Sequence, residues 1–381
     1  MQAVGIICEY NPLHAGHAHQ LQSVREAKAV VCLMSGNFTQ RGEAAVLPPV
    51  SRAAMALAAG ADLVLELPFP FAAGSARYFA TAGVRALAAL GCDTLCFGSE
   101  SADKAAILAA AERLNAADLA ENAAQRSPET GDAAAHFALL GDSPASNDIL
   151  GIEYTRAILD EQLPMDIFPI LREGAGYREL ALDSAYPSAT ALRAHLARGE
   201  DVLSFLPPVV GDIWQKALKS YGGTADTARL GTALLARLRV GALPDGIADC
   251  GGGLLAHLAK AARRATTYEE LCLEASTKRY TNGRLRRAML YLLTGVTRED
   301  LLSPPAYLRV LGANERGRAY LAETRKTRTV PVITKNAELD LQDARTARQH
   351  TLEDIAHALY ALCLAQPTLP GLLASKPPVM L

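Results

Sequence analysis

The sequence predicts a Rossmann-like α/β domain built on a parallel sheet, followed by a mainly helical, basic C-terminal domain. Three observations carry this reading. Short β-branched runs alternate with helical patterns through the first half of the chain and stop near Val202. Each run is apolar along its whole length, as expected of strands covered on both faces. The charge changes sign at the same place. Residues 1–203 hold 14 Lys+Arg against 24 Asp+Glu, a net of −10, and residues 204–381 hold 24 against 16, a net of +8. A chain of 381 residues, half of them hydrophobic, is long enough for two domains, and a division at 203/204 follows.

The elements follow in order. Val4-Gly5-Ile6-Ile7-Cys8 is the first strand, with a helix opening near His14. Ala29–Met34 is the second, closed by Ser35-Gly36-Asn37. A helix over residues 51–59 leads through Gly60 into a third strand, Asp62–Leu67. A helix over residues 76–90 ends at Gly91, and Thr94-Leu95-Cys96-Phe97 is the fourth strand. A helix over 151–159 precedes the fifth, Asp166–Leu171. Residues 101–146 are Ala-rich and read as a helical insertion. Leu203-Ser204-Phe205-Leu206-Pro207-Pro208 reads as a linker, and beyond it only Thr329–Ile333 reads as extended.

Composition narrows the function. The overall net charge of −2 does not describe a dedicated polyanion binder, yet the basic half is a candidate nucleic-acid surface. Seven scattered cysteines with no Cys-x-x-Cys pattern point to buried thiols in a reducing compartment, not to a disulfide frame or a zinc site. No basic-then-apolar leader opens the chain and no apolar run reaches membrane-spanning length, so a cytoplasmic protein without membrane contact is expected.

The segment Ile7-Cys8-Glu9-Tyr10-Asn11-Pro12-Leu13-His14-Ala15-Gly16-His17-Ala18-His19-Gln20 carries most of the chemistry. It leaves the first strand and opens the first helix, where a doubly wound sheet binds nucleotides and a helix N-terminus offers N–H groups to phosphate. His14 and His17, three apart, share a helix face. Gly16 removes a side chain where a nucleotide approaches. The imidazoles would donate to oxygens that gain charge as an α–β phosphate bond breaks. There is no G-x-x-x-x-G-K-[ST], which excludes a P-loop ATPase, and no H-E-x-x-H. A second motif, Pro187-Ser188-Ala189-Thr190-Ala191-Leu192-Arg193, caps a helix and presents Arg193, suited to the β- and γ-phosphates. Asn37–Glu43 follows the second strand and borders the same crevice, where it would orient a substrate or be a solvated loop. Arg52 is balanced between steadying a phosphate and pairing with a carboxylate. By themselves His19, His136, His195, His257, His350 and His357 carry no motif and are expected to be structural or surface residues.

His-x-Gly-His at the first helix with Ser-x-Thr-x-x-Arg late in the domain resembles the nucleotidylyltransferase superfamily related to class I aminoacyl-tRNA synthetases. Longer stretches are more specific. Gly5–His14, Met34–Glu43, Asp62–Pro68, Ser146–Gly151, Arg172–Tyr177 and Lys278–Thr281 with Arg284, Arg286 and Arg287 resemble the bacterial tRNA(Met) cytidine acetate ligase family. The pattern departs at Arg178, where the family leads to His, and at Leu192, where Ile is commoner.

The resemblance implies an enzyme that activates acetate with ATP as acetyl-adenylate, and Mg²⁺ is expected because such ATP chemistry neutralises phosphate charge with it. The acetyl group then passes to N4 of the wobble cytidine of elongator tRNA(Met), leaving AMP and pyrophosphate. It implies ATP contacts along Ile7–Gln20, at Gly98, Asn147 and Arg172, and at Ser188 and Thr190, with His14, His17 and Arg193 catalytic. In the basic half, Lys278, Arg279, Arg284 and Arg287 would hold tRNA phosphates while Tyr280 stacks on an unpaired base. No metal ligand and no obligate protein partner is assigned. Two other readings stay open: a small-molecule adenylyltransferase of the pantetheine-phosphate or nicotinamide-mononucleotide type, and a non-catalytic RNA-binding protein.

Overall fold

The computed structural model describes residues 2–123, 146–172, 187–240 and 242–381. The five expected strands form where the apolar runs lie: β1 (Ala3–Cys8), β2 (Ala29–Ser35), β3 (Leu63–Leu67), β4 (Thr94–Ser99) and β5 (Asp166–Leu171). They pair in parallel in the order β5-β4-β1-β2-β3. The helices between them are α1 (Ala15–Ser23), α2 (Pro49–Ala58), α3 (Ala76–Ala89), α4 (Lys104–Ala123) and α5 (Ser146–Asp160). β1 is buried at every position because both its faces are covered. Val4, Ile6 and Cys8 pack into one core with Leu21 of α1 and Met55 of α2. Ala3 and Ile7 point the other way, into a core with Phe79 and Leu87 of α3 and Ile152 of α5. The chain builds the sheet outward from β1 to β3 and then returns to β1's other edge with β4. That reversal opens a crevice at the C-terminal ends of β1 and β4, and α1 starts there.

The rest of the chain is mainly helical, as expected: α6 (Ala189–Ala197), α7 (Gly211–Tyr221), α8 (Gly231–Arg239), α9 (Leu254–Ala262), α10 (Tyr268–Ala275), α11 (Asn282–Thr294) and α12 (Arg298–Leu302). Then come β6 (Leu308–Ala313), α13 (Glu315–Glu323), β7 (Val332–Ile333), α14 (Ala344–Cys363), α15 (Pro370–Ala374) and β8 (Val379–Met380).

The two halves do not part at residue 203. β6 pairs antiparallel with β3, and β7 and β8 both pair with β6, so the second half extends the sheet of the first. An edge strand as apolar as β3 leaves its outer N–H and C=O groups to be paired, and β6 supplies the partner. The expected linker is likewise part of the body: Val202, Leu206, Val210 and Trp214 are buried in the core that holds Val4 and Ile6. A third core joins α8–α11 and α14 to Phe38, Phe69 and Ala73 from the first half. Within the expected insertion, α4 accounts for residues 104–123 and Ser146 opens α5; residues 124–145, like Tyr177 and Arg178, lie outside the described residues.

Candidate active site

The crevice at the switch point holds a cavity of about 220 Å³. Of the residues expected to meet ATP, Ile7, Cys8, Glu9, Tyr10, Asn11, His14, Gly16, His17, His19, Gln20, Gly98, Asn147, Arg172, Ser188 and Thr190 line it, as does Arg193. Pro12 and Leu13 turn inward and are buried, and Ala15 and Ala18 do not reach it.

His14 is the N-cap of α1 and is buried; His17 is half-buried one turn on. Their rings stack with centroids 3.8 Å apart, and Tyr10 sets its ring edge-on to His17 at 5.0 Å. The Gly16 N–H donates to His14 Nδ1 at 3.1 Å, and the His14 N–H donates to His17 Nδ1 at 3.3 Å. A backbone N–H only donates, so each Nδ1 must carry a lone pair. In a neutral ring the proton is then on Nε2. Burial first, and then Arg172 and Arg193, pull the His14 pKa down to about 3. Burial, His14 and Arg172 push that of His17 the same way. Both imidazoles are therefore neutral Nε2–H donors at physiological pH.

This modifies the expected cradle. The N–H groups of His14 and Gly16 are taken up by the two rings, so these two donors are not open to a ligand. Gly16 has a second role: a Cβ there would lie 3.0 Å from His14 Cε1, so its missing side chain makes room for the ring. Gly98 similarly leaves room for Arg172, whose Cγ would be 3.1 Å from an added Cβ.

Cationic charge comes from three arginines, Arg41, Arg172 and Arg193. Arg172 follows β5, its N–H bonded to the Ser99 carbonyl at 2.9 Å. Arg193 lies on α6, whose N-cap Ser188 accepts from the Ala191 N–H. Its Nη1 donates to the Asn11 carbonyl at 2.8 Å and its Nη2 to Thr190 Oγ1 at 3.3 Å, which ties the second motif to the loop leaving β1. Asn147, at the start of α5, donates through Nδ2 to Glu100 at 2.6 Å. Gln40 and Arg41 bring the loop after β2 to the cavity, settling that loop's place beside the crevice.

Arg52 does not line the cavity; the Glu9 and Glu66 carboxylates act on it electrostatically, and its direct partners are backbone carbonyls. It is buried and donates to three carbonyls, Leu47 at 2.9 Å, Glu9 at 2.6 Å and Gly36, stapling together the segments that leave β1 and β2. An apolar wall of Phe79, Phe97, Leu150, Tyr154 and Ile170 was not legible beforehand, because these residues follow the same helix and strand periodicity as core.

The residues expected to meet tRNA divide. Lys278 and Arg279 are exposed. Tyr280 is buried, its hydroxyl donating to the Gly252 carbonyl at 2.7 Å and its ring flanked by the Arg279 and Arg284 guanidinium groups, so it is not placed to stack on a base. Arg284 bonds the carbonyls of Asp249 and Gly251, and Arg287 pairs with Asp249 at 2.6 Å. These two arginines hold the 249–252 turn onto α11. Spacing identified a cationic helix face but not which of its charges the chain itself consumes.

A His-x-Gly-His helix start at the switch point of a mostly parallel sheet defines a nucleotidyl transferase class of site, and the family model described as HIGH Nucleotidyl Transferase matches residues 1–369. The "tRNA(Met) cytidine acetate ligase" of Syntrophotalea carbinolica is 38% identical, over 91% of this chain and 88% of that protein. That of Anoxybacillus flavithermus is 36% identical, over 88% and 89%. The chain belongs to the tRNA(Met) cytidine acetate ligase family of HIGH nucleotidyl transferases. Among solved structures, apo Thermotoga maritima TmcAL superposes with a TM-score of 0.87 at 28% identity, covering 100% of both chains. The same protein bound with alpha-thio ATP gives 0.84 at 29% identity, covering 100% of this chain and 99% of that one.

Proposed function

We infer that this chain is an ATP-dependent ligase that converts acetate to acetyl-adenylate and acetylates N4 of the wobble cytidine of elongator tRNA(Met), releasing AMP and pyrophosphate. The observation that carries the site assignment is the stacked pair His14 and His17, each accepting a backbone N–H at Nδ1, in one cavity with Arg172 and Arg193.

The chemistry requires such a site. Cytosine N4 is conjugated with its ring and is a weak nucleophile, and acetate is a weak electrophile, so the carboxylate must first become a mixed anhydride. An acetate oxygen attacks the α-phosphorus, the α–β bridging bond breaks, and its electron pair leaves with pyrophosphate. His14 and His17 donate to oxygens that gain charge in that step, while Arg172 and Arg193 neutralise the phosphates. Because the rings are already neutral and their tautomers are set by backbone N–H groups, no proton has to move before they act. The N4 amine then attacks the acetyl carbon, and AMP leaves.

Among the described residues, no group of three or more His, Cys, Asp or Glu side chains is placed to hold a metal ion. Mg²⁺ would neutralise phosphate charge when bound with ATP, and no step is assigned to it. No described helix is long and apolar enough to cross a membrane.

Acetate-dependent exchange of pyrophosphate into ATP, measured with and without tRNA, tests the reading. Exchange with acetate supports the ligase; exchange that needs another acceptor marks a small-molecule adenylyltransferase; none at all marks a non-catalytic RNA binder. With ¹⁸O-acetate and tRNA, one label should appear in AMP, and ADP or unlabelled AMP would exclude the adenylate route.

A further inference from the structure

The loop after β2 is a small hairpin that touches both the cavity and the helical half. Phe38 and Ala44 bridge antiparallel, Thr39 N–H donates to the Glu43 carbonyl at 2.9 Å, and Ala45 N–H donates to the Asn37 carbonyl at 2.9 Å. On its inner side, the Gln40 N–H donates to the Glu9 carboxylate at 2.8 Å, and both residues line the cavity. On its outer side the hairpin lies on α11. Gly42 has φ +70°, and a Cβ there would be 2.6 Å from the Arg287 nitrogen, a contact that only glycine permits. The Ala44 N–H donates to Thr227 Oγ1 at 2.8 Å, and Tyr360 donates to the Ala45 carbonyl at 2.8 Å, so the hairpin is anchored in the helical half as well.

Glu43 sits at the junction. One carboxylate oxygen binds Arg286 of α11, and the other lies 3.9 Å from Arg193 Nε. Arg193 lines the cavity, and Arg286 lies on α11, which follows the exposed Lys278 and Arg279, with 30% of its side chain exposed. The Glu43 carboxylate thus lies between Arg286 and Arg193, with Arg41 also near enough to act on it electrostatically; Arg286 and Arg193 each have a competing anion. When RNA phosphate draws Arg286 away, Glu43 is left to claim Arg193; when a triphosphate engages Arg193, Glu43 closes on Arg286.

We propose that Glu43 is a positioning residue that makes RNA on the helical half and polyphosphate in the cavity mutually antagonistic. This inference rests on tRNA being the acceptor. Its consequence for the reaction is that tRNA arrival loosens the hold on pyrophosphate after the adenylate has formed. Coupling is reciprocal, so each ligand must weaken the other by the same factor.

The test measures the affinity of α,β-methylene ATP with and without saturating tRNA. In the unaltered protein tRNA should weaken the analogue by about 5-fold, the size of an ordinary coupling. Glu43→Gln should bring that ratio to one, and Glu43→Asp should retain part of it. Arg286→Gln removes the same pair from its other end and should also bring the ratio to one, which keeps the test decisive if the Glu43 variant does not fold. A merely structural Glu43 would shift both affinities and leave their ratio alone, and that result overturns the proposal. So does a ratio of one in the unaltered protein. If tRNA binds and is acetylated while the ratio survives Glu43→Gln, only the proposal falls; if tRNA does not bind at all, the acceptor reading falls with it.

Discussion

At His14 and His17, burial and neighbouring guanidinium charge act in the same direction, against the imidazolium. The neutral donors matter most when pyrophosphate gains charge on leaving. His17→Ala should therefore slow acetate-dependent pyrophosphate exchange by about 10²–10³, as for a lost transition-state donor, with a much smaller loss of ATP affinity. Near-normal exchange would remove His17 from this role. The same depression has a stability consequence. Between the folded pKa of His14, about 3, and its ordinary value near 6.5, the unfolded chain binds a proton that the folded protein refuses. Stability therefore rises with pH through that window and levels off above it. In denaturant titrations of the ligand-free protein between pH 4 and 6.5 (a range of about two to three units), His14→Gln should flatten the pH dependence by up to one proton's worth. An unchanged slope would show that His14 titrates normally.

At the scale of elements, α11 shows how a cationic face is divided between fold and partner. Leu285, Ala288 and Met289 turn into the helical core, while Arg284 and Arg287 are spent on the 249–252 turn. Lys278 and Arg279, just before the helix, are exposed. Replacing Lys278 and Arg279 together by Ala should weaken tRNA binding and flatten its salt dependence by roughly 0.7–0.9 in log–log slope per lost phosphate contact. Acetate-dependent exchange without tRNA should be unaffected, and equal loss of both activities would mean that these side chains are not part of a separate RNA surface. Arg287→Ala should instead lower thermal stability, because it leaves Asp249, which is only 17% exposed at its side chain, without its cation.

For the whole molecule, the sheet and all three cores draw on both halves of the chain. β6 covers the edge of β3, Trp214 and Val210 close the core under β1, and Phe38 and Phe69 enter the helical core. A fragment of residues 1–203 would expose all of these faces. It should fail to give a cooperative thermal transition and should aggregate, whereas a well-dispersed, cooperatively melting fragment would establish an independent first domain.

What the sequence determined by itself is whatever depends on near neighbours. Five apolar runs became five strands, and a His-x-Gly-His motif one turn beyond the first strand could only lie at its C-terminal end. From there most of the cavity lining followed, because strand ends and helix starts in a doubly wound sheet converge on one crevice. Only the tertiary structure decided the rest. β6 is a short apolar run interrupted by Arg309 and Gly312, and its role exists because β3 offers it an edge. Arg52 resolved to three backbone carbonyls, Tyr280 to a buried hydrogen bond, and Glu43 to a partner 243 residues away. A charged or aromatic side chain is compatible with many partners, and which one it takes depends on packing between segments far apart in the chain.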